Sequence, residues 1–488
     1  MAEQAASQAC IAQLKANLPS HTLLVAEEDM RPYECDGLAA YRRLPLAVAL
    51  PETVEQVQDI VKICAEFNVP VVARGAGTGL SGGALPHTQG IILGLARLNK
   101  ILEIDRENLT ARVQPGVRNL AISQAVDAYG LFYAPDPSSQ IACSIGGNVA
   151  ENSGGVHCLK YGLTVHNILE VNIVSANGKL ITIGNEALDS AGYDLLALMT
   201  GSEGLLGIVV EIVVKLTVKP PVIEVLMAAF NSVPLAGEAV AAIISAGIIP
   251  AGLEMMDNPS IRAAEAFAKA GYPVDAAAIL LCELDGTPED VAAQSQQVQA
   301  LLNQCGATSI YTAQSAAERA KLWAGRKSAF PAVGRISPDY YCMDGTIPRK
   351  QLAYVLNKIN ELSTQYQLAV ANVFHAGDGN LHPLILFDAN KDGELNRAEA
   401  FGTAILTLCV EVGGTVTGEH GVGFEKLDAM CSQFKPVELS LFHAIKHAFD
   451  PKGILNPGKA VPTLHRCAEL GAMHVHHGQL PHPELPRF

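Results

Sequence analysis

The sequence lacks several patterns that would place it in familiar classes of protein. Among its 488 residues, no apolar run approaches the roughly 18 uninterrupted residues of a membrane-spanning helix. Lysine and arginine are not clustered, and the formal net charge of −15 argues against nucleic acid as a partner. The eleven cysteines form no C-x-x-C pair, which excludes an iron–sulfur cluster of the usual spacing. Because the N-terminus has no signal-peptide pattern, we expect a cytoplasmic protein with reduced thiols.

The composition is otherwise typical of a globular protein. Apolar residues make up 49% of the chain and charged residues 17%. The chain is longer than one ordinary domain and can bury more than one core. Two consecutive prolines, Pro220 and Pro221, would stop a strand and stiffen a linker, so we place a domain boundary there.

Clustered glycine is the first positive signal in the sequence. Five glycines lie within RGAGTGLSGG at 74–83, directly after an apolar run that predicts a short buried strand. Without side chains, successive N–H groups can converge on an anion, so we predict a flavin pyrophosphate loop. Part of the stretch, 77–82, also matches the G-x-G-x-x-G pattern of a Rossmann nucleotide site. A helix should follow that pattern, but Gly83 and Pro86 make one difficult to start, and a plain turn without ligand is the other alternative.

A second glycine-rich stretch strengthens this interpretation. It spans residues 135–155, PDPSSQIACSIGGNVAENSGG, and supplies both small residues and side-chain donors. A buried, doubly charged cofactor needs close backbone approach together with hydrogen bonds. A third stretch, GSEGLLG at 201–207, precedes a predicted strand at 208–216.

Short apolar runs between turn signals predict an α+β fold. In the first unit, Thr53 and Gln56 form a capping-box pattern ahead of a helical stripe. The other elements predicted there are strands at 69–72, 91–95, 101–104, 111–113, 171–175 and 180–183, and a helix at 119–129. The second unit alternates strands at 222–230, 278–284, 370–374 and 383–387 with helices at 235–246, 289–305 and 350–366.

Two further segments carry side chains suited to chemistry, HAGDGNLH at 375–382 and GEHG at 418–421. On a regular strand His375 and His382 would lie on opposite faces, so the segment between them must bend for both to converge. With Glu419 they form two nitrogens and one carboxylate, a set that leaves open positions on a divalent metal. Zinc, manganese and iron remain open. A single histidine is more often an ordinary hydrogen-bonded residue than a metal ligand. The prediction of a metal site therefore depends on the three residues occurring together.

Two other residues complete the predicted site. His420, with an ordinary pKa of about 6.5, can accept a hydroxyl proton as a general base. Arg326 lies in LWAGRKSAF, and its guanidinium can bind a substrate carboxylate through two hydrogen bonds. The alternative for Arg326 is an ion pair at the surface, which contributes little.

Five motifs together carry a family resemblance: RGAGTGLSGG, PDPSSQIACSIGGNVAENSGG, WAGRKSAFPAVGRISPDYYCMDGTIP, HAGDGNLHP and GEHGVG. In these motifs the sequence resembles the FAD-linked oxidases of the vanillyl-alcohol-oxidase type, and within them the FAD-bearing subunits of bacterial glycolate oxidases. The resemblance covers nearly the whole chain. It implies a two-part FAD-binding domain, an α+β substrate domain and a C-terminal helical segment that returns to the flavin.

The expected domain boundaries follow from this resemblance and from the paired prolines. They are an N-terminal arm at 1–42, an FAD-binding domain at 43–220, a substrate domain at 221–410, a returning segment at 411–462 and a His/Pro-rich tail at 463–488. The expected FAD-binding residues are Arg74, Gly75, Ala76, Gly77, Thr78, Gly79, Ser81, Gly82, Pro135, Asp136, Ser139, Cys143, Ser144, Gly146, Gly147, Asn148, Asn152, Gly154, Gly155, Glu203, Gly207, Ile208 and Asn456.

The resemblance implies oxidation of a small 2-hydroxy acid, with glycolate first and D-lactate second. Hydride would pass from C2 to N5 of FAD while His420 takes the hydroxyl proton, and a divalent metal would be held by the positions of His375, His382 and Glu419. Because the chain alone lacks an electron exit, the resemblance also implies a second flavoprotein-like subunit and an iron–sulfur subunit that pass electrons towards quinone. Any link to the inner face of the cell membrane would be peripheral, through these partners.

Alternatives from other classes remain open at the level of sequence. The enzyme could act alone on D-lactate or another D-2-hydroxy acid. The histidines and Glu419 could serve a metal-dependent hydrolase in which the glycine loops are only turns, or the chain could be a silent flavin-binding scaffold. The segment 388–393 superficially resembles a calcium loop but lacks its final acidic residue. The five histidines between 465 and 482 fit no standard zinc module, and we expect a partner-docking tail.

The sequence also departs from related D-2-hydroxyglutarate dehydrogenases. In those enzymes a lysine and an asparagine are associated with the far carboxylate of the substrate, and Cys342 and Leu384 stand at the matching places here. Neither can pair with a buried carboxylate, and leaving that charge unpaired costs several kcal/mol. We therefore expect a substrate with a short tail.

Overall fold

The structure, a computed structural model, describes residues 2–187 and 192–463. The predicted docking tail, apart from its first residue, lies outside the described residues. The fold is α+β, as predicted, and consists of a glycine-rich first unit and a larger second unit from which the chain returns to the first.

The first unit contains short strands and helices. Its strands are β1 (Leu23–Leu24), β2 (Ala47–Ala49), β3 (Val71–Arg74), β4 (Ile91–Gly94), β5 (Ile101–Asp105), β6 (Thr110–Val113), β7 (Leu131–Phe132), β8 (Ile168–Val174), β9 (Leu180–Gly184), β10 (Ile208–Lys215) and β11 (Thr217–Val218). Its helices are α1 (Ala2–Asn17), α2 (Glu27–Met30), α3 (Val54–Phe67), α4 (Asn119–Val126), α5 (Ile145–Glu151), α6 (Cys158–Tyr161) and α7 (Leu195–Met199).

Two main sheets organise these elements. The first has the order β1-β2-β4-β3, in which β4 pairs parallel with both β2 and β3. The second has the order β5-β6-β10-β8-β9 and is antiparallel throughout. Strand β4 is buried along its whole length, which explains its continuous apolar sequence. The glycine stretch 74–83 begins where β3 ends, and it leads into β4 without a helix.

Helix α3 shows how local sequence fixes an element. The Thr53 side chain accepts the Gln56 N–H at 3.3 Å, as the capping pattern predicts, whereas the Gln56 side chain accepts from Glu52 instead of from the cap residue itself. The apolar stripe of α3 packs against α1 and β3 in one core. Residues 1–42, interpreted from sequence as a lead-in arm, thus supply a helix to this core and an edge strand to the sheet.

The second unit is built on one large sheet. Its strands are β12 (Val222–Phe230), β13 (Gly252–Asp257), β14 (Ala278–Gly286), β15 (Ser309–Thr312), β16 (Asp339–Cys342), β17 (Val370–His375) and β18 (Asn380–Phe387). Its helices are α8 (Val233–Ser245), α9 (Asn258–Ala268), α10 (Pro288–Gln304), α11 (Ala316–Lys327), α12 (Ala329–Val333), α13 (Leu352–Tyr366) and α14 (Glu394–Glu411), followed by α15 (Leu427–Gln433) and α16 (Pro436–Phe449). The strand order is β15-β12-β14-β13-β17-β18-β16, and every neighbouring pair is antiparallel.

The register of this sheet places three polar side chains on the same face. One face is apolar and packs against α8, α10, α13 and α14 in the largest core. Glu254 lies directly opposite His375, and Val373 lies opposite His382, so these three polar side chains share the other face. Cys342 joins them through its pairing with Leu384. The rest of that face is apolar as well and packs against α9, α11 and α12 in a second core, so the polar side chains are exceptions within it.

The chain returns to the first unit near its C-terminal end. The Val71 N–H donates to the carbonyl of Ile454, and the Asn456 N–H donates to the carbonyl of Val71, each at 2.8 Å. In the described part of the chain, no helix is long and apolar enough to cross a membrane. Nine of the described cysteines carry free thiols, but Cys431 is disulfide-bonded, so the prediction of reduced thiols is wrong for this residue.

Candidate active site

A cavity of about 650 Å³ lies between the two units. Its walls come from all three glycine-rich stretches and, at one end, from His382, Glu419 and His420. The predicted cofactor residues that line it are Arg74, Gly75, Ala76, Gly77, Thr78, Gly79, Ser139, Cys143, Ser144, Gly146, Gly147, Asn148, Glu203, Gly207 and Ile208. The structure therefore brings most of the predicted cofactor residues to the wall that ends at the histidines.

The other predicted cofactor residues do not line the cavity: Ser81, Gly82, Pro135, Asp136, Asn152, Gly154, Gly155 and Asn456. Several of them brace the residues that do. The Asn456 amide donates to the carbonyl of Glu203 at 2.7 Å, and Ser81 Oγ donates to the carbonyl of His420 at 2.9 Å. These contacts fix the loops from behind the wall.

The glycine loops leave room that side chains would fill. A Cβ on Gly75 would lie 2.3 Å from Ser144 Oγ, and Gly77 has φ +72, next to the Arg74 guanidinium. Oε2 of Glu151, which also lines the cavity, finds no hydrogen-bond partner among the described residues. Burial raises the pKa of Glu151 well above its ordinary value. A cavity wall that consists of glycine backbone and carries an unpaired polar atom fits a polar cofactor.

His375 and His382 converge because the chain turns between β17 and β18. The turn spans 376–379, and strand β18 begins three residues earlier than the sequence predicts, so His382 stands on the strand itself. Gly379 has φ +87, and a Cβ there would lie 2.2 Å from the carbonyl oxygen of Ile347. Glycine is therefore required at this turn.

The three predicted metal ligands meet at one carboxylate oxygen. Glu419 Oε1 lies 2.9 Å from His382 Nε2 and 3.3 Å from His375 Nε2. One possible ligand atom from each residue lies within 4.8 Å of the others. His375 Nδ1 lies 2.8 Å from Glu254 Oε1, the kind of outer carboxylate that orients a metal-binding imidazole.

Charge within this cluster is strongly coupled. Burial opposes ionisation of Glu419, but the adjoining His375 and His382 hold its pKa well below the ordinary range. Burial likewise opposes a charge on His375, but Glu254 and Glu419 raise its pKa well above the usual value. The electrostatics of these buried groups thus favour positive charge beside the carboxylates.

His420 lies at the cavity wall beside this cluster. Its ring stacks on that of His382, with centroids 4.8 Å apart and an interplanar angle of 7°. Burial lowers the pKa of His420 to about 4, so the imidazole is neutral at neutral pH. A neutral imidazole can accept a proton.

Two buried carboxylates hold the loop that carries Glu419 and His420. Asp344 accepts the N–H groups of His420 at 2.9 Å and Gly418 at 3.1 Å, and it pairs with the buried ammonium of Lys426 at 3.2 Å. Glu203 accepts the N–H groups of two residues further along the loop, each at 2.7 Å. The histidine loop, residues 417–426, is thus attached to both units.

Arg326 is buried, so the surface ion pair considered from sequence does not describe it. Its Nη2 lies 2.6 Å from Glu254 Oε2, and both side chains are almost fully inaccessible. Nε and Nη1 have no hydrogen-bond partner within residues 2–187 and 192–463. Arg326 does not line the cavity, whereas Lys327 does, with its ammonium 3.1 Å from the Asp136 carboxylate.

Sequence reasoning missed Glu254, Asp344, Glu151 and Lys327. The sequence could have identified Glu254, because an acidic residue inside the otherwise apolar run Leu253–Met256 is unusual. Asp344 and Glu151 stand inside the quoted motifs, but nothing in their spacing shows what they contact. Lys327 follows Arg326 directly, and sequence alone does not show which of two adjacent cations faces the cavity.

The chain belongs to the FAD-linked oxidases. The sequence family described as FAD binding domain matches residues 45–184, and the C-terminal domain of FAD linked oxidases matches residues 219–460. In particular, the chain is similar to the glycolate oxidase subunit GlcD of Escherichia coli (strain K12), with 64% identity over 97% of this chain and 95% of the relative. It is also 32% identical to a D-lactate dehydrogenase of Anaerostipes hadrus, over 90% of this chain and 94% of that enzyme.

A solved structure supports the same architecture. p-Cresol methylhydroxylase with substrate bound superposes with a TM-score of 0.80 at 21% identity, covering 95% of this chain and 98% of that one. This likeness shows the fold, with its two-part FAD-binding domain and mixed helices and sheets.

Proposed function

We propose that the protein is an FAD-dependent dehydrogenase that oxidises glycolate to glyoxylate and accepts D-lactate as a second substrate. The observation that carries this proposal is the meeting of two features in one cavity: the glycine-lined wall and the cluster of His382, Glu419 and His420 at its end. The names of the relatives, a glycolate oxidase subunit and a D-lactate dehydrogenase, support the same substrate class.

The residues present fit both groups that the proposal needs. Bound FAD would supply the hydride acceptor for C2 of the substrate, and a divalent metal held by His375, His382 and Glu419 would lower the pKa of the substrate hydroxyl. Zinc, manganese and iron suit this donor set. The unsatisfied Oε2 of Glu151 and the bare backbone at Gly75 are the features of the wall that fit a polar cofactor.

The side chains of the protein then bind, orient and deprotonate the substrate. His420 is the general base, because it lines the cavity with a neutral ring beside the metal ligands. The cation for the substrate carboxylate is Arg326, as the sequence predicts, or Lys327. Arg326 has guanidinium nitrogens that Glu254 does not engage but does not line the cavity, whereas Lys327 lines it. Glu254 holds Arg326 and His375 in one arrangement, since its two oxygens contact both.

We infer the size of the substrate from two residues that lie beside His382 in the sheet but do not themselves line the cavity. Cys342 and Leu384 are buried and lie opposite each other in neighbouring strands. Neither offers a charge to a second carboxylate, so a dicarboxylate would leave one unpaired. Glycolate and D-lactate differ by one methyl group, which is worth only about 1–3 kcal/mol in an apolar pocket, so both should react.

The proposal extends to a complex. The relatives include a protein named as a subunit of glycolate oxidase. We infer that electrons leave through a second flavoprotein-like subunit and an iron–sulfur subunit, and that any contact with a membrane is peripheral through them.

Anaerobic flavin reduction tests the function directly. The purified chain is mixed with glycolate, D-lactate or D-2-hydroxyglutarate, and bleaching of the flavin absorption is followed in a stopped-flow instrument. Glycolate and D-lactate should reduce the flavin, and D-2-hydroxyglutarate should do so far more slowly. A protein without a flavin band would contradict the redox assignment and favour the hydrolase alternative. Comparable kcat/KM for D-2-hydroxyglutarate would contradict the proposed pocket.

A further inference from the structure

Cys342 lies beside the metal ligands because of the sheet register. It pairs with Leu384 across β16 and β18, and His382 is two residues from Leu384 on the same face of β18. Diagonal neighbours of this kind are within reach of each other's side chains. Cys342 is 4% exposed and forms no disulfide, and its thiol donates to the carbonyl of Met343 at 3.4 Å.

The second observation is a set of unsatisfied nitrogens. A ligand atom from each of Cys342, His382 and His420 lies within 4.8 Å of the others. Nδ1 of His382 and Nδ1 of His420 are buried, and neither has a hydrogen-bond partner in the described part of the protein. Since His382 Nε2 already contacts Glu419, Nδ1 is the nitrogen that remains available for another ligand.

The charges around the thiol also favour a cation. Burial and the carboxylates of Asp344 and Glu419 raise the pKa of the Cys342 thiol well above its ordinary value, while the Lys426 ammonium opposes them, so a bound cation has to displace the thiol proton. A thiolate with two imidazoles is a softer donor set than two imidazoles with a carboxylate. It selects thiophilic ions such as Zn²⁺ or Cd²⁺ over Mn²⁺ and Mg²⁺.

We propose that Cys342, His382 and His420 form a second cation site, distinct from the set of His375, His382 and Glu419 and specific for thiophilic divalent ions. Binding displaces the Cys342 thiol proton to solvent and uses one lone pair from each imidazole, with no change of oxidation state. A neutral imidazole has a single lone pair, so His382 cannot serve both sites at once. The two sites therefore exclude each other.

Occupation of this second site inhibits the enzyme. It withdraws His382 from the first set and leaves the other nitrogen of His420 protonated, so the base cannot accept a proton. This consequence rests on the proposed function, because it requires His420 to be the base. The binding itself does not.

The test is cadmium titration of the metal-depleted flavoprotein. Wild-type protein should develop the ultraviolet thiolate-to-cadmium charge-transfer band with one equivalent of Cd²⁺ and lose flavin reduction in parallel. Cys342→Ala should lack the band and need at least 10-fold more Cd²⁺ for half-inhibition relative to its own starting rate. Cys282→Ala, which removes another buried thiol from the same sheet, should behave like wild type. Mn²⁺ should give no band with any variant.

A band of unchanged size in Cys342→Ala would overturn the proposal. If that variant fails to fold, X-ray absorption of cadmium bound to wild type decides the matter, because a shell without sulfur would also overturn it. A wild-type band that titrates without loss of flavin reduction would retain the site and contradict the base role of His420. Failure of the site and failure of the proposed function are thus distinguished.

Discussion

His420 is the side chain on which the proposed chemistry depends most directly. His420→Ala should keep its flavin spectrum, because the ring stacks on that of His382 and does not hold the glycine loops. Flavin reduction by glycolate should fall at least the roughly 100-fold typical of losing a general base. His443→Ala removes a histidine on α16, outside the cavity, and should reduce flavin at the wild-type rate. Near wild-type rates in His420→Ala would remove this residue from the mechanism.

The predicted metal set can be tested separately from the base. Chelation and His382→Ala should each remove the bound ion and lower turnover by at least the roughly 10- to 100-fold that loss of a supporting group costs at a metal site. The flavin spectrum should remain, since His382 contributes no contact to the glycine loops. Metal content is measured alongside turnover. Unchanged turnover in demonstrably metal-free protein would show that the three residues serve another purpose.

The choice between Arg326 and Lys327 gives a third test at this scale. Arg326→Lys keeps the charge but loses the two-pronged geometry, so kcat/KM for glycolate should fall roughly 10- to 100-fold, the worth of a charged hydrogen bond. Lys327→Met should have a smaller effect, since its ammonium already pairs with Asp136. Both variants are compared by flavin reduction at rising glycolate concentrations. A larger loss in Lys327→Met would make Lys327 the substrate cation.

At the residue scale, sequence could identify the chemical groups but not their surroundings. The glycines beside His375, His382 and Glu419 were visible as a pattern, and the structure brings these residues together. The contact of Arg326 with Glu254 joins helix α11 to strand β13, and no local pattern encodes such a contact. The residues that the sequence did not reveal act through contacts with side chains that are distant in the sequence.

At the scale of elements, the histidine loop depends on Asp344. Asp344→Asn removes the charge that pairs with Lys426 and accepts three backbone N–H groups of the loop, a loss worth about 3–5 kcal/mol for a buried pair. We expect a lower melting temperature and roughly 100-fold slower flavin reduction with the flavin spectrum retained. Amide hydrogen exchange at 418–420 should accelerate, because those groups lose their acceptor.

A buried aspartate elsewhere in the same unit provides the matched control. Asp257 accepts the N–H groups of Ser260 and Asn372 outside the cavity, so Asp257→Asn should cost stability without slowing flavin reduction. Wild-type flavin reduction and unchanged exchange at 418–420 in Asp344→Asn would show that the loop holds its position without this carboxylate.

Sequence predicted several regular elements but missed others, including the helices α9, α11 and α14. Strand β12 matches its prediction residue for residue, because a nine-residue run with one charged residue, Glu224, directly follows Pro220 and Pro221. Strands β13, β15 and β16 were not predicted, because short runs with polar residues give no clear period. The attachments of the histidine loop could not be predicted, since they join segments from both units.

At the scale of the whole molecule, His157 links the two units electrostatically. It lies 3.0 Å from both Asp136 of the first unit and Glu283 of the second, and Trp323 donates to the same Glu283. Burial opposes its charge, but these carboxylates raise the pKa of His157 to about 10. This group therefore stabilises the fold fully below its unfolded pKa of about 6.5, and the contribution is lost as the pH rises towards 10.

The expected result is a melting temperature that falls between pH 7 and 10 more steeply in wild type than in His157→Gln. Glutamine keeps hydrogen-bonding capacity but has no proton to lose, so the difference between the two curves isolates this histidine. His443→Gln should follow wild type. Parallel curves for His157→Gln and wild type would contradict the raised pKa.

The hydrogen bonds between the C-terminal segment and β3 affect how the protein folds during its synthesis. The Asn456 side chain donates to the carbonyl of Gly83 across 373 residues of sequence, and the backbones of Ile454 and Asn456 complete the hydrogen bonding of Val71. Contacts so distant in sequence form late, and during synthesis the N-terminal unit leaves the ribosome long before its last segment exists. The glycine loops therefore lack the hydrogen bonds of this last segment until translation is nearly finished. Chains that stop short of residue 454 should emerge without a finished cofactor pocket and depend on chaperones to stay in solution.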